Sequence, residues 1–322
     1  MKECKICGNY EDNTYHTVKE MQLGLGDSFQ YLECNECKCL QLIDLPEDFS
    51  KYYPKDYYSY VHDGKRPIQQ HKLKNTLVKL LNKSLISYYS NKKWGICKLF
   101  NCFIPELLPS IEPCPGVFDK KILDVGCGNG NLLKHLAEAG FKYLTGVDPF
   151  IENEITYDMP NNIKIKICKC EIFELDSKYD IIILDHSLEH MQSQDKILLH
   201  LYSLLSEEGI CIIRIPTVSC YAWPKFREFW YALDAPRHIF IHSIKSISLI
   251  CQRNGFIITK MVYDSIDGTI RSKLYKRGWN IEKQNKFLFT SWGVFIIIKH
   301  MLISKWLNSV KKGDTIRIYL EK

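Results

Sequence analysis

The chain has no long uninterrupted apolar run. Its least polar stretch, residues 287–307, is broken by Ser291, Lys299, His300 and Lys305. That is too polar for a membrane span, so a buried or interface helix is expected there, with membrane-surface contact as the alternative. The opening residues, Met-Lys-Glu-Cys-Lys-Ile-Cys, lack the apolar core of a signal peptide, and the expected location is the cytoplasm. No block of like charge occurs either. The 43 Lys and Arg residues exceed the 37 Asp and Glu by a net +6 that is spread along the chain, which gives little support for nucleic-acid binding as a principal role. There is no internal repeat and no low-complexity segment. What is present is an ordinary globular composition: 322 residues, 46% hydrophobic, are enough for a core in one large or two modest domains.

Cysteine is plentiful, with 14 residues, and in a reducing compartment these are thiols or metal ligands. Cys4-Lys-Ile-Cys7 and Cys34-Asn-Glu-Cys37 form two C-x-x-C pairs, each able to sit on a tight turn and aim two thiolates at one tetrahedral ion. The sequence Gln30-Tyr-Leu-Glu33 reads as a strand leading into the second pair, and the whole reads as a zinc ribbon over residues 1–50. Cys39 is a spare thiol that competes with Cys37 for the fourth position.

A tyrosine-rich connector, Tyr52-Tyr-Pro-Lys-Asp-Tyr-Tyr-Ser-Tyr60, opens the region 51–116. Leu73, Leu77, Leu80, Leu81 and Leu85 then recur at helical spacing. Pro105, Pro109, Pro113 and Pro115 mark a boundary before a main domain at 117–322. From there, apolar runs alternate with helical stretches, which predicts an α/β fold with a mainly parallel sheet and helices on both faces.

The first run of that domain ends in Asp124 and passes into Gly126-Cys-Gly-Asn-Gly130 and a helix. Glycines let the backbone turn sharply and approach a ligand, and this position in a doubly wound sheet is where nucleotide-like ligands bind. A dinucleotide fingerprint would need glycine where Asn131 stands. Asp124 opposes a pyrophosphate and suits a cationic group. The segment Leu144-Thr-Gly-Val-Asp148 ends a second strand with an acid suited to both ribose hydroxyls, so a cationic, adenosine-containing cofactor fits best.

On these residues, with Tyr179-Asp-Ile-Ile-Ile-Leu-Asp-His-Ser-Leu-Glu-His190, residues 204–216 and residues 230–242, the chain resembles the class I S-adenosylmethionine-dependent methyltransferases. The resemblance implies a Rossmann-like fold with a seven-stranded sheet. It also implies S-adenosylmethionine held by Asp124, Gly126, Gly128, Gly130, Asp148, Glu171 and Asp185. With the ribbon and Leu-Asp-Ala-Pro-Arg-His238, the likeness extends to bacterial methyltransferases of surface-polysaccharide and modified-sugar pathways. It implies a carbohydrate or nucleotide-linked sugar as acceptor, methylated at oxygen in preference to carbon. Ribosomal or transfer RNA methylation, another small-molecule acceptor, or a non-catalytic binding protein are the alternatives.

A neutral hydroxyl needs a base, and histidine is the natural one near neutral pH. His190, after the fourth strand of the domain, and His238, after the fifth, are the candidates, with Tyr221 as a further catalytic candidate. Arg237 is expected to pair with a substrate phosphate or carboxylate, and Trp223 and Trp230 to stack on the acceptor.

Overall fold

The computed structural model describes residues 2–54, 111, 114, 116–266, 268–288 and 290–322. The expected leucine-spaced helix, the later tyrosines of the connector and most of the proline boundary lie outside the described residues. The chain divides into two compact units, residues 1–54, 185–202 and 211–322 in the first, and 55–184 with 203–210 in the second.

The first unit opens with β1 (Thr14–Lys19), β2 (Ser28–Glu33) and β3 (Leu40–Leu42). These pair antiparallel in order. The ribbon strand expected at 30–33 is therefore present and longer.

The second unit holds β4 (Lys121–Val125), α1 (Asn131–Glu138), β5 (Tyr143–Val147), β6 (Ile155–Met159), β7 (Ile163–Cys168) and β8 (Tyr179–Asp185). Its strand order is β8-β4-β5-β7-β6. All neighbours run parallel except β6, which is antiparallel to β7. Ile122, Leu123, Ile165, Ile167, Ile182 and Ile183 are buried in this sheet, and α1 covers part of it with Leu133 and Leu136. Strand β7 alternates buried Ile with exposed Lys, as a half-covered strand should. Strand β6 has no fully buried residue, although Ile155, Tyr157 and Met159 alternate with exposed Thr156 and Asp158 along its five residues.

After β8 come α2 (Gln194–Leu204) and β9 (Leu205–Pro216), whose residues 203–210 count with the second unit, and then, in the first unit, α3 (Ala222–Phe226), β10 (Phe240–Ile241), α4 (Ile244–Arg253) and β11 (Ile257–Tyr263). Helices α5 (Gly268–Tyr275), α6 (Ile281–Leu288) and α7 (Ser291–Ser309) precede β12 (Thr315–Glu321). Strands β11, β12 and β9 pair antiparallel in that order. Strand β10 adds to β3, with Phe240 opposite Gln41 and Ile241 opposite Leu40. That pairing fixes the segment ending at His238 directly against the cysteine-bearing sheet.

Candidate active site

In the second unit, β4 ends beside Asp124, which is buried. Gly126, Gly128 and Gly130 then all take positive φ, at 73°, 52° and 74°. Side chains are strained in that region, so glycine is required by the turn itself. A Cβ on Gly130 would also stand 2.4 Å from Ile167 Cδ1. The acid at the end of β5 organises this loop. Asp148 is buried and accepts the Gly128 N–H at 2.9 Å through Oδ2 and the Phe150 N–H at 2.9 Å through Oδ1. Burial raises its pKa, and the two backbone donors partly offset that. Each oxygen keeps capacity for one more donor, as a ribose diol requires. Glu171 is exposed, and its N–H donates to Glu174 Oε1 at 2.8 Å in a short local turn.

In the first unit, the turn after β8 carries a carboxylate surrounded by imidazoles. Glu189 is 1% exposed and accepts from His186 Nδ1 at 3.2 Å, while its second oxygen has no hydrogen-bond partner among the described residues. His238 Nε2 lies 3.8 Å from Glu189 Oε1. The His190 and His238 rings meet edge to face with centroids 4.7 Å apart. Backbone carbonyls set both tautomers. His190 Nδ1 is 2.9 Å from the Arg237 carbonyl, and His238 Nδ1 is 2.8 Å from the Ala232 carbonyl. A carbonyl only accepts, so each Nδ1 carries its hydrogen and each Nε2 presents a lone pair.

The charges here are strongly shaped by place. Burial alone would lower the His186 pKa, but its hydrogen bond to Glu189 and that carboxylate's charge push it up to about 9. Burial would raise Glu189, yet the His186 hydrogen bond and charge hold it at about 2. His238 drops to about 4, through burial first and the neighbouring His190 second. His186 itself sits at φ 53°, an unusual left-handed conformation for histidine, and its N–H donates to the Arg214 carbonyl at 2.9 Å.

A family profile described as a methyltransferase domain matches residues 99–260, which contain both the glycine loop and the histidine turn. The chain belongs to the methyltransferase-domain family. The assignment as an S-adenosylmethionine-dependent methyltransferase stands with it. Among curated proteins, the chain is 35% identical over 102 residues to a ubiquinone biosynthesis O-methyltransferase of Rickettsia bellii, covering 30% of this chain and 42% of that one. It is 37% identical over 98 residues to the protein of the same name from Rickettsia akari, covering 29% and 39%. The chain thus spans about two fifths of the length of these relatives. Among solved structures, an S-adenosylmethionine-dependent methyltransferase from Archaeoglobus fulgidus is 20% identical with TM-score 0.42, covering 70% of this chain and 94% of that one. The cyclopropane synthase MmaA2 from Mycobacterium tuberculosis is 15% identical with TM-score 0.39, covering 63% and 78%.

Several residues expected to meet substrate occupy other positions in the methyltransferase. Arg237 is fully buried, and its guanidinium donates to Asp234, to Glu20 Oε1 at 3.0 Å and to the Tyr52 carbonyl at 3.1 Å. With its fork engaged inside the protein, Arg237 braces the Asp234–His238 turn and is not placed to anchor a phosphate. Trp230 is 1% exposed and its indole N–H points to Asp314 Oδ2 at 3.3 Å. Trp223 is also buried, donates to Glu33 Oε1 at 3.3 Å and meets His16 edge to face. Both tryptophans are packing residues in this structure, leaving no open face for a stacked acceptor. Tyr221 is exposed at the start of α3, beside Lys225. Asp185 is tied to Arg214 at 3.3 Å, and Arg214 also bonds Asp264 at 2.9 Å.

Residues outside the expected catalytic and binding set complete the histidine site, the first of them from the tyrosine-rich connector. Tyr53 places its hydroxyl 3.3 Å from His190 Nδ1. Glu20 and Asp234 hold Arg237, and Glu20 lies 217 residues away from it in sequence. The four-cysteine arrangement is also explicit. Sγ atoms of Cys4 and Cys37 are 3.6 Å apart and those of Cys7 and Cys34 are 3.5 Å apart. Tetrahedral zinc with thiolate bonds near 2.3 Å requires sulfurs about 3.8 Å from one another, so the set fits. Cys39 instead directs its thiol at the Leu40 and Ile241 carbonyls, both at 3.7 Å, and is outside the group.

Proposed function

We propose that this methyltransferase moves the methyl group of S-adenosylmethionine to a hydroxyl of a small molecule, with His190 as the base. When bound, the cofactor supplies an electrophilic methyl on a sulfonium. Asp148 would hold the ribose and Asp124 would favour the cationic half. The observation that carries the assignment is the orientation of His190. Its Nδ1–H is committed to the Arg237 carbonyl, its Nε2 has no hydrogen-bond partner among the described residues and can accept a hydroxyl proton, and the residue is less buried than His238. Glu189 close by stabilises the imidazolium that forms. His238, lowered to about 4, is too weak a base for this role and instead packs against the working ring.

The likeness to relatives named as O-methyltransferases of ubiquinone biosynthesis supports a small-molecule hydroxyl acceptor. A carbohydrate acceptor is a narrower form of the same proposal, and it loses the aromatic platform that Trp223 and Trp230 would have offered. We also infer that the four cysteines bind structural zinc. Its function would be to hold β3, and through it β10 and the Tyr31 hydroxyl that donates to the His238 carbonyl at 2.7 Å, in the position the histidine turn needs.

The test is methyl transfer from labelled S-adenosylmethionine to a panel of aryl and sugar hydroxyls. His190→Ala should lower turnover by about 100-fold to 10,000-fold with cofactor affinity retained. Turnover within threefold of the parent on the accepted substrate would remove His190 as base.

A further inference from the structure

We propose that the outer face of α7 docks on the surface of a bilayer containing anionic phospholipid, lying in the headgroup plane. The inner face of this 19-residue helix is already occupied. Ile296 and Ile297 pack against Ile270, Leu274 and Leu288. The Thr269 hydroxyl meets His300 Nδ1 at 2.9 Å, and Ser304 and Leu307 are buried. The opposite side is bare. Trp292, Phe295, Leu302 and Trp306 are 60–66% exposed, and Ile298 and Val310 extend the patch. Spacings of three, seven and four residues keep the first four in one stripe along the helix. The Trp292 and Phe295 rings stack with centroids 5.7 Å apart. Apolar surface this continuous ordinarily has a partner.

Charge selects the partner. Residues 291–313 contain no Asp or Glu, while Lys299, Lys305, Lys311 and Lys312 are all exposed. Lys299 lies seven residues after Trp292 and seven before Trp306, so it belongs to the apolar stripe itself. Lys273 on α5 is held below its usual value by burial first, with the like charges of Lys225 and Lys299 adding to it. A second copy meeting this face would set these lysines against one another. Anionic headgroups neutralise them, while tryptophan and phenylalanine enter the acyl boundary and lysine stems extend outward to the phosphates. No helix among the described residues is long and apolar enough to cross a membrane, so α7 would lie on the surface.

The experiment is sedimentation of the full chain with phosphatidylcholine vesicles and with vesicles that also contain phosphatidylglycerol, alongside analytical ultracentrifugation without lipid. Binding is expected for the anionic vesicles only, weakened at least about tenfold in the double variant Leu302→Ser with Trp306→Ser and in Lys305→Glu with Lys312→Glu. All four side chains are exposed, and unchanged S-adenosylmethionine affinity would report an intact fold. The inference is overturned by absence of binding to anionic vesicles, by binding of either variant equal to that of the parent, or by a dimer that dissociates in the Leu302 and Trp306 variant.

Discussion

Replacing Glu189 with Gln isolates the charge at the centre of the histidine turn while preserving its shape. Glu189 is held at about 2, and a carboxyl group shifted that far from an ordinary 4.5 prefers its charged form by about 3 kcal/mol. The side chain of its main partner, His186, is 37% exposed, so solvent screens part of this, leaving about 1–2 kcal/mol for stability. The sign follows from the direction. A depressed carboxyl contributes fully above its unfolded value and loses that contribution as pH falls toward 2. His186 is raised to about 9, so its share is complete below its unfolded value and lost as pH rises through about 9. Urea unfolding followed by circular dichroism from about pH 3 to 10 should therefore show the parent minus Glu189→Gln difference largest between about pH 5 and 6.5 and shrinking on both sides. Taking the difference cancels other carboxylates held low by partners, such as Asp234 beside Arg237 and Glu33 beside His16. A difference curve flat across the acid limb would refute the assignment of that charge to Glu189.

Three further outcomes are expected. Asp148→Ala should weaken S-adenosylmethionine binding by about 1.5–3 kcal/mol in calorimetry, because the acid serves both the loop N–H of Gly128 and the expected ribose hydroxyls; unchanged affinity of the folded variant would count against it. Cys7→Ser should release one zinc per chain by metal analysis, and turnover should fall with it, since β3 pairs with the strand that follows His238; a parent protein purified reduced and without chelator that contains no zinc would reject the site. His238→Ala should impair turnover less than His190→Ala, and the reverse order would return the base to His238.

The local parts of this molecule were legible from sequence because they are set by neighbours in the chain. The turn at Gly126–Gly130 demands positive φ at three glycines, β7 announces itself by alternation, and each C-x-x-C pair is a local motif, although the meeting of Cys4 with Cys37 and of Cys7 with Cys34 is tertiary. Strand β6 escaped because its alternation of Ile155, Tyr157 and Met159 with Thr156 and Asp158 is only five residues long and buries none of them fully. Tertiary structure alone decided the acceptor side. Arg237, Trp223 and Trp230 have the residue types of a binding surface, but the long-range partners Glu20, Glu33 and Asp314 draw all three inward. Sequence placed Cys37 in the cysteine group with Cys39 as a competing thiol, and the fold separated them, with Cys37 in the cluster and the Cys39 thiol at two carbonyls. Hydrogen bonding and burial depend on which groups meet in space, and for these residues the meeting groups lie up to 217 positions apart.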